Sequence, residues 1–246
     1  MRIAIQLAGQ PRFTGDFDFF LKNLKGYDCA DWFCYITNNN NVSNFKLPLE
    51  QWKEFDKDWA VNKLQSRLPK NNFVRSFEIS DCEQVELPIE PPACPPGFYK
   101  MWYNIYQSNQ LRLAYEKNND IRYDMVIRIR PDVGLEDELD LRTIGDIDKS
   151  IIFPNNQWAP QNPSSGHYII DPKQACDQFA ISLSNEMNVY SDLIHYAATY
   201  PYTQDRHWWH CEATLAHHLD INSIHTIRGN FNISLRKYPV NVNNWN

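Results

Sequence analysis

Tyr123-Asp124-Met125-Val126-Ile127-Arg128-Ile129-Arg130-Pro131-Asp132 is the stretch on which the fold turns. Its apolar, β-branched centre reads as a strand over Tyr123–Arg130. Alternation puts Arg128 and Arg130 on one face, with Met125, Ile127 and Ile129 on the other. Pro131 has no N–H to give to a ladder, so Asp132 falls just beyond the carboxyl end of the strand. In open α/β sheets that edge is where ligands bind. Two arginines on an otherwise buried strand need anions, because unpaired buried charge is costly. Neighbouring carboxylates that pin the strand would suffice; so would a bound phosphate. Asp132, beside an arginine, suits one ligand position of a hard divalent cation, or simply closes a turn.

Elements of similar character lie on either side. Arg2–Ala8 reads as a short buried strand followed by a loop at Gly9-Gln10-Pro11-Arg12. Asp31–Thr37 and Phe73–Ile79 read as further strands, with helices over Phe17–Leu24 and Leu49–Leu68 between them. Five prolines between Glu86 and Gly97 exclude both a helix and a central strand there. Phe98–Asn118 is the longest helical pattern: Trp102, Ile105, Tyr106 and Leu113 share a stripe that Asn109 interrupts, as if aimed into a polar pocket. Beyond the central strand, Leu135–Lys149 is acidic, Ile151–Phe153 and Tyr168–Ile170 suggest strands, and Asn155–Ser165 is a loop. Helices are expected over about Pro172–Ser184, Asn188–Tyr200 and from a Thr203 cap to Leu219, with a last strand at Ile221–Ile227. Strands that alternate with helices specify an α/β fold, Rossmann-like, with a mostly parallel central sheet flanked by helices. No repeat or linker divides it, so residues 1–246 form a single domain.

Composition agrees. The chain has 246 residues, 43% hydrophobic and 22% charged. Size scaling lets such a chain bury roughly 70–75% of its unfolded surface without disulfides or metals. Mean hydropathy is −0.57, and no run reaches the roughly 18 apolar residues of a membrane span. A net charge of −6 argues against general nucleic-acid binding. The six cysteines are scattered and form no C-x-x-C pair, so they read as free thiols of a reducing, cytoplasmic compartment.

The opening Ile3-Ala4-Ile5-Gln6-Leu7-Ala8-Gly9-Gln10-Pro11-Arg12-Phe13 and the block from Met101-Trp102-Tyr103 to Arg130-Pro131-Asp132 together resemble the GT-A-type glycosyltransferases of large viruses, phages and bacterial polysaccharide gene clusters. The likeness covers residues 1–37 and 98–132 well, and the C-terminal third loosely. In that family the central strand ends in an Asp-x-Asp motif that holds a metal on a sugar nucleotide; Arg130-Pro131-Asp132 matches its last aspartate only. The resemblance implies a nucleotide-sugar-binding half over about 1–132 and an acceptor half over about 133–246. It implies a nucleotide-sugar donor, a glycan, lipid-linked glycan or protein as acceptor, and Mn2+ or Mg2+ at Asp132. Ala8, Gly9 and Gln10 would line the donor, with Gly9 letting the backbone approach the nucleotide. Arg12, Arg128 and Arg130 would face its phosphates, and Thr37 its base or ribose. Asn109 joins this set as the polar break in the long helix.

A late stretch, Asp205-Arg206-His207-Trp208-Trp209-His210-Cys211-Glu212, runs on to His217-His218. On a helix His207, His210 and His217 could share a side, and His225 could complete a metal site. It lacks His-Glu-x-x-His, so it is no zinc protease. Glu212 corresponds to a carboxylate that, in the resembled family, faces the acceptor from the start of a late helix, where it could take the proton of an attacking hydroxyl. Trp102, Trp158, Trp208 and Trp209 could line clefts. There is no P-loop, no Gly-x-Gly-x-x-Gly after the first strand and no Gly-x-Ser-x-Gly. The expected function is glycosyl transfer; the rivals are a non-catalytic sugar- or nucleotide-binding module, and a metal-dependent phosphohydrolase.

Overall fold

In the computed structural model, residues 1–9, 18–38, 57–81, 96–155, 175–200 and 211–235 are described. Seven strands form the central sheet: β1 (Arg2–Gly9), β3 (Cys29–Asn38), β4 (Asn72–Asp81), β5 (Met125–Ile129), β8 (Ser150–Phe153), β9 (Phe179–Ser182) and β10 (His225–Arg228). Their order is β10-β8-β9-β5-β1-β3-β4, and every pairing is parallel except the two that β9 makes. Two small pairs flank it: β2 (Leu24–Lys25) with β7 (Leu139–Asp140), and β6 (Val133–Leu135) with β11 (Ile233–Leu235). The helices are α1 (Asp18–Leu21), α2 (Lys57–Arg67), α3 (Pro96–Asn119), α4 (Ser184–Ser191), α5 (Leu193–Tyr196) and α6 (Cys211–Ile221). Among the described residues no helix is long and apolar enough to cross a membrane.

The expected strand at the centre is correct. β1 and β5 are buried along almost their whole length, which the near-continuous apolar runs of parallel strands require. Trp32 and Phe179 on one face of the sheet pack against Phe20 of α1. On the other face Phe33 packs against Tyr115, and Tyr35 against Tyr103, both from α3. Trp102 is fully buried against Tyr190 and Phe98, so it belongs to the core and lines no cleft.

Two polar networks are built into this core. Arg112 of α3 is fully buried; it pairs with Glu116 at 2.7 Å and donates to Asn109, Asn188 and Ser184. Gln6 of β1 donates to Asn109 at 2.6 Å, so a chain of amides ties β1 to α3 and α4. The second network centres on Asp31, whose side chain is 1% exposed. It accepts from Arg2, Arg75 and the Tyr123 hydroxyl. At the sheet edge, Gln65 of α2 serves the outer strand: its amide donates to Asn72 O and accepts from Val74 N. A side chain there occupies backbone groups that would otherwise template a foreign strand.

The differences from the sequence reading cluster in the second half. Phe179–Ser182 is a strand, not the end of a helix over Pro172–Ser184; a four-residue apolar run carries no periodicity that separates the two, and insertion between β5 and β8 decides it. The single helix expected over Asn188–Tyr200 is two short helices, α4 and α5, with a final 3-10 turn over Ala197–Thr199. α6 continues to Ile221, which shortens the last parallel strand to His225–Arg228. The Tyr168–Ile170 strand and the Thr203 cap lie outside the described residues. Cys34 and Cys176 are buried, and Cys29 and Cys211 are partly exposed.

Candidate functional site

Four chain segments meet at the carboxyl edge of the sheet: the ends of β1 and β5, the lead-in to β9 and the first turn of α6. β1 ends at Gly9 with φ +136°, a conformation L side chains rarely adopt. A Cβ there would lie 3.5 Å from Pro131 Cδ and 3.8 Å from Arg130 Cγ, which is ordinary contact. Glycine is therefore required by backbone angle, not by crowding. Gly9→Ala is expected to cost about 1–3 kcal/mol of unfolding free energy, measured by urea denaturation.

After β5 the chain turns sharply: Val133 N donates to Arg130 O at 3.0 Å, which closes a β-turn with Pro131 in its second position. The turn sets Asp132 back beside Arg130, and the guanidinium grips both carboxylate oxygens, at 2.5 and 3.1 Å. Both side chains are largely buried, at 16% and 6% exposure. Burial pulls the Arg130 pKa down, but Asp132 outweighs it and the net shift is upward.

Arg128 is fully buried. Its guanidinium donates to the carbonyls of Gln178 at 2.8 Å and Ala8 at 3.5 Å, and its Nε has no partner. Desolvation pushes its pKa down; Tyr190 and Asp177 oppose that. Both arginines on the alternating face thus reach the same edge. Arg130 has the carboxylate partner that charge burial demands; Arg128 has carbonyls.

β9 runs antiparallel to β5, so its beginning lies beside the end of β5: Arg130 N donates to Gln178 O at 2.9 Å. That brings in Asp177, which is 5% exposed and whose Oδ1 has no hydrogen-bond partner. Glu212 enters from the first turn of α6. Burial raises its pKa, Asp177 raises it further, and Arg130 pulls the other way. Glu212, Asp177 and Arg130 therefore feel one another's charge.

Of the sequence-derived candidates, the structure gathers Ala8, Gly9, Arg128, Arg130, Asp132 and Glu212 at this edge. Gln10, Arg12, Trp158, Trp208, Trp209, His207 and His210 lie outside the described residues. Asn109 is not a ligand-facing residue: its amide is occupied by Gln6, Arg112 and Asn188 in the core. Thr37 does sit at the end of β3, but its buried hydroxyl accepts from Asn104. His225 opens β10, a strand parallel to β5 and three positions away in the sheet. It lies at the amino edge, on the order of 20 Å from Asp132 by strand spacing and rise, so the two residues share no metal site.

Arg130 holds both oxygens of Asp132, and among the described residues no three His, Cys, Asp or Glu side chains gather as metal ligands. These residues do not fit a preformed ion site. His218 is structural: its Nε2–H donates to Val189 O at 2.8 Å, which leaves Nδ1 to accept from the Tyr200 hydroxyl. Burial lowers its pKa from the ordinary 6.5. The unfolded chain therefore takes up a proton near pH 6.5 while the native state resists it. Stability is full above that pH and falls below it. The urea midpoint is expected to drop between pH 7.5 and 5.5, and His218→Gln to flatten the drop.

Asp177 is the site residue that sequence reading missed. Its signal was an acidic residue two positions before the apolar Phe179-Ala180-Ile181 run. Had that run been read as an antiparallel strand, its start would have been placed at the ligand edge. No protein-family model matches the chain, and no curated protein matches it.

Proposed function

We propose that the protein is a glycosyltransferase of the GT-A type, which moves a sugar from a nucleotide-sugar donor to a hydroxyl of a glycan, lipid-linked glycan or protein. The observation that carries this reading is the convergence of two buried guanidiniums, Arg128 and Arg130, at the carboxyl edge of a parallel sheet, with Glu212 of α6 in the field of Arg130. Cations that are fixed before reaction stabilise charge that develops on a leaving diphosphate.

In the proposed step the acceptor oxygen forms a bond to the anomeric carbon, and its proton passes to a Glu212 carboxylate oxygen. The bond from the anomeric carbon to the diphosphate oxygen breaks, and the electron pair leaves with the nucleoside diphosphate. Arg128 and Arg130 face that charge. Glu212 acts only when ionised, so the acid limb of the pH–rate profile is expected above 4.5, the ordinary glutamate value.

The test is thermal stabilisation by nucleoside diphosphates and nucleotide sugars, each with and without manganese. A ligand at a hundred times its dissociation constant adds about 2.7 kcal/mol to the native state. Stabilisation by one nucleotide series supports the reading and names the base. Absence of stabilisation by every nucleotide overturns it.

A further inference from the structure

Asp177 has no role in the step above, yet it is the least satisfied acid at the site. It is 5% exposed, and its Oδ1 is buried without a partner. A buried carboxylate oxygen normally accepts from at least one donor, so one without a partner at a ligand edge needs an explanation. A counter-ion role does not supply it. Asp177 feels Arg128, Arg130 and Glu212, but no ion pair within 4 Å joins it to either arginine; Arg130 gives its fork to Asp132, and Arg128 donates to carbonyls. A phosphate does not supply it either, because two anions repel. A neutral O–H donor fills such an oxygen without adding charge, through a short charge-assisted bond.

We infer that Asp177 accepts a hydrogen bond from a hydroxyl of the donor's sugar, and so helps to decide which sugar is carried. This rests on the transferase reading. The placement favours the sugar over the acceptor: Asp177 shares the field of the two guanidiniums assigned to the diphosphate, and in a nucleotide sugar the hydroxyl-bearing ring is attached directly to that diphosphate. Glu212 faces the same point from α6 and keeps the proton-transfer role.

The experiment is calorimetric titration of the wild-type protein, Asp177→Ala and Asp177→Asn. The probes are UDP, GDP, ADP and CDP, and the corresponding nucleotide sugars. The quantity read is the ratio of affinities, nucleotide sugar over its own nucleoside diphosphate. Neither variant removes a hydrogen bond seen in the fold; both lose a negative charge near Arg128 and Arg130, so both are expected to fold and to melt somewhat lower than wild type, by about the same amount. In wild type one nucleotide sugar is expected to bind at least about tenfold more tightly than its diphosphate, or 1.4 kcal/mol. Asp177→Ala is expected to bring that ratio close to one while affinity for the diphosphate stays within about twofold, and Asp177→Asn to fall between.

A ratio near one in wild type, or a ratio that Asp177→Ala leaves unchanged, overturns the inference alone. Equal losses for the diphosphate and the sugar conjugate make Asp177 a structural residue and also overturn it. Failure of wild type to bind any nucleotide overturns the transferase reading, and this inference with it.

Discussion

If the proposed transferase reading holds, Glu212→Gln is expected to abolish sugar transfer and at the same time raise the melting temperature. The loss of rate follows from the general-base role proposed for Glu212, worth about 10²–10⁴-fold. The gain in stability follows from the sign of the pKa shift. Burial first, and the charge of Asp177 second, hold the Glu212 pKa above 4.5 in the folded state. Between 4.5 and that raised value the native protein binds more protons than the unfolded chain, so stability falls as pH rises across the window. Above the window the folded state carries the full penalty of an ionised Glu212. Glutamine keeps the shape and removes the charge. The gap between variant and wild type should therefore be near zero at pH 4 and open towards pH 7, measured by scanning calorimetry. Loss of activity with a lower melting temperature at pH 7 would instead make Glu212 a structural residue.

Asp31→Ala is expected to have the largest effect on stability and to act far from the ligand edge. Asp31 lies near the start of β3, at the amino side of the sheet, and its carboxylate is 1% exposed. It accepts from Arg2 Nε at 2.9 Å, Arg75 Nε at 2.6 Å and the Tyr123 hydroxyl at 2.8 Å. These partners come from β1, β4 and the segment leading into β5, so one carboxylate joins four strands at their beginnings. Its removal leaves two guanidiniums facing each other and a buried phenol without an acceptor. Breaking a buried pair from one side costs about 3–5 kcal/mol. Arg2 and Arg75 are each about one-third exposed and recover some hydration, which places the expectation near the lower figure, about 3 kcal/mol. For a chain of this size that is roughly 6–12 °C in melting temperature. Asp31→Asn, which keeps an acceptor but not the charge, should fall between. A loss below about 1 kcal/mol would mean that the arginines and the tyrosine find other partners.

The contrast between these two carboxylates shows how far residues alone could be read. Both Asp31 and Glu212 stand in the sequence as acids beside apolar neighbours, and nothing local separates them. Sheet polarity does. Asp31 begins a parallel strand and meets arginines that neutralise it; Glu212 begins a helix that reaches the opposite edge, where an aspartate repels it. Asn109 and Asp177 make the same point in reverse. Asn109 breaks an apolar stripe, which suggested a pocket, but the break is filled by Gln6, Arg112 and Asn188 from three other parts of the chain. Asp177 looked like part of a helix and became a site residue once Phe179–Ser182 was inserted antiparallel.

What the sequence by itself determined is the local and periodic part: the buried parallel strands, the long helix α3, and the turn that Pro131 forces at the end of β5. These follow from side-chain alternation, helical spacing and the missing proline N–H, which act over a few residues whatever the rest of the chain does. What only the tertiary structure decided is which charges meet. Arg130 with Asp132 is local, but Arg128 with the Gln178 carbonyl, Glu212 with Asp177, and the separation of His225 from Asp132 depend on strand order and on the reversed direction of β9. Strand order is set by burial summed over the whole sheet, and no short window of sequence contains that sum.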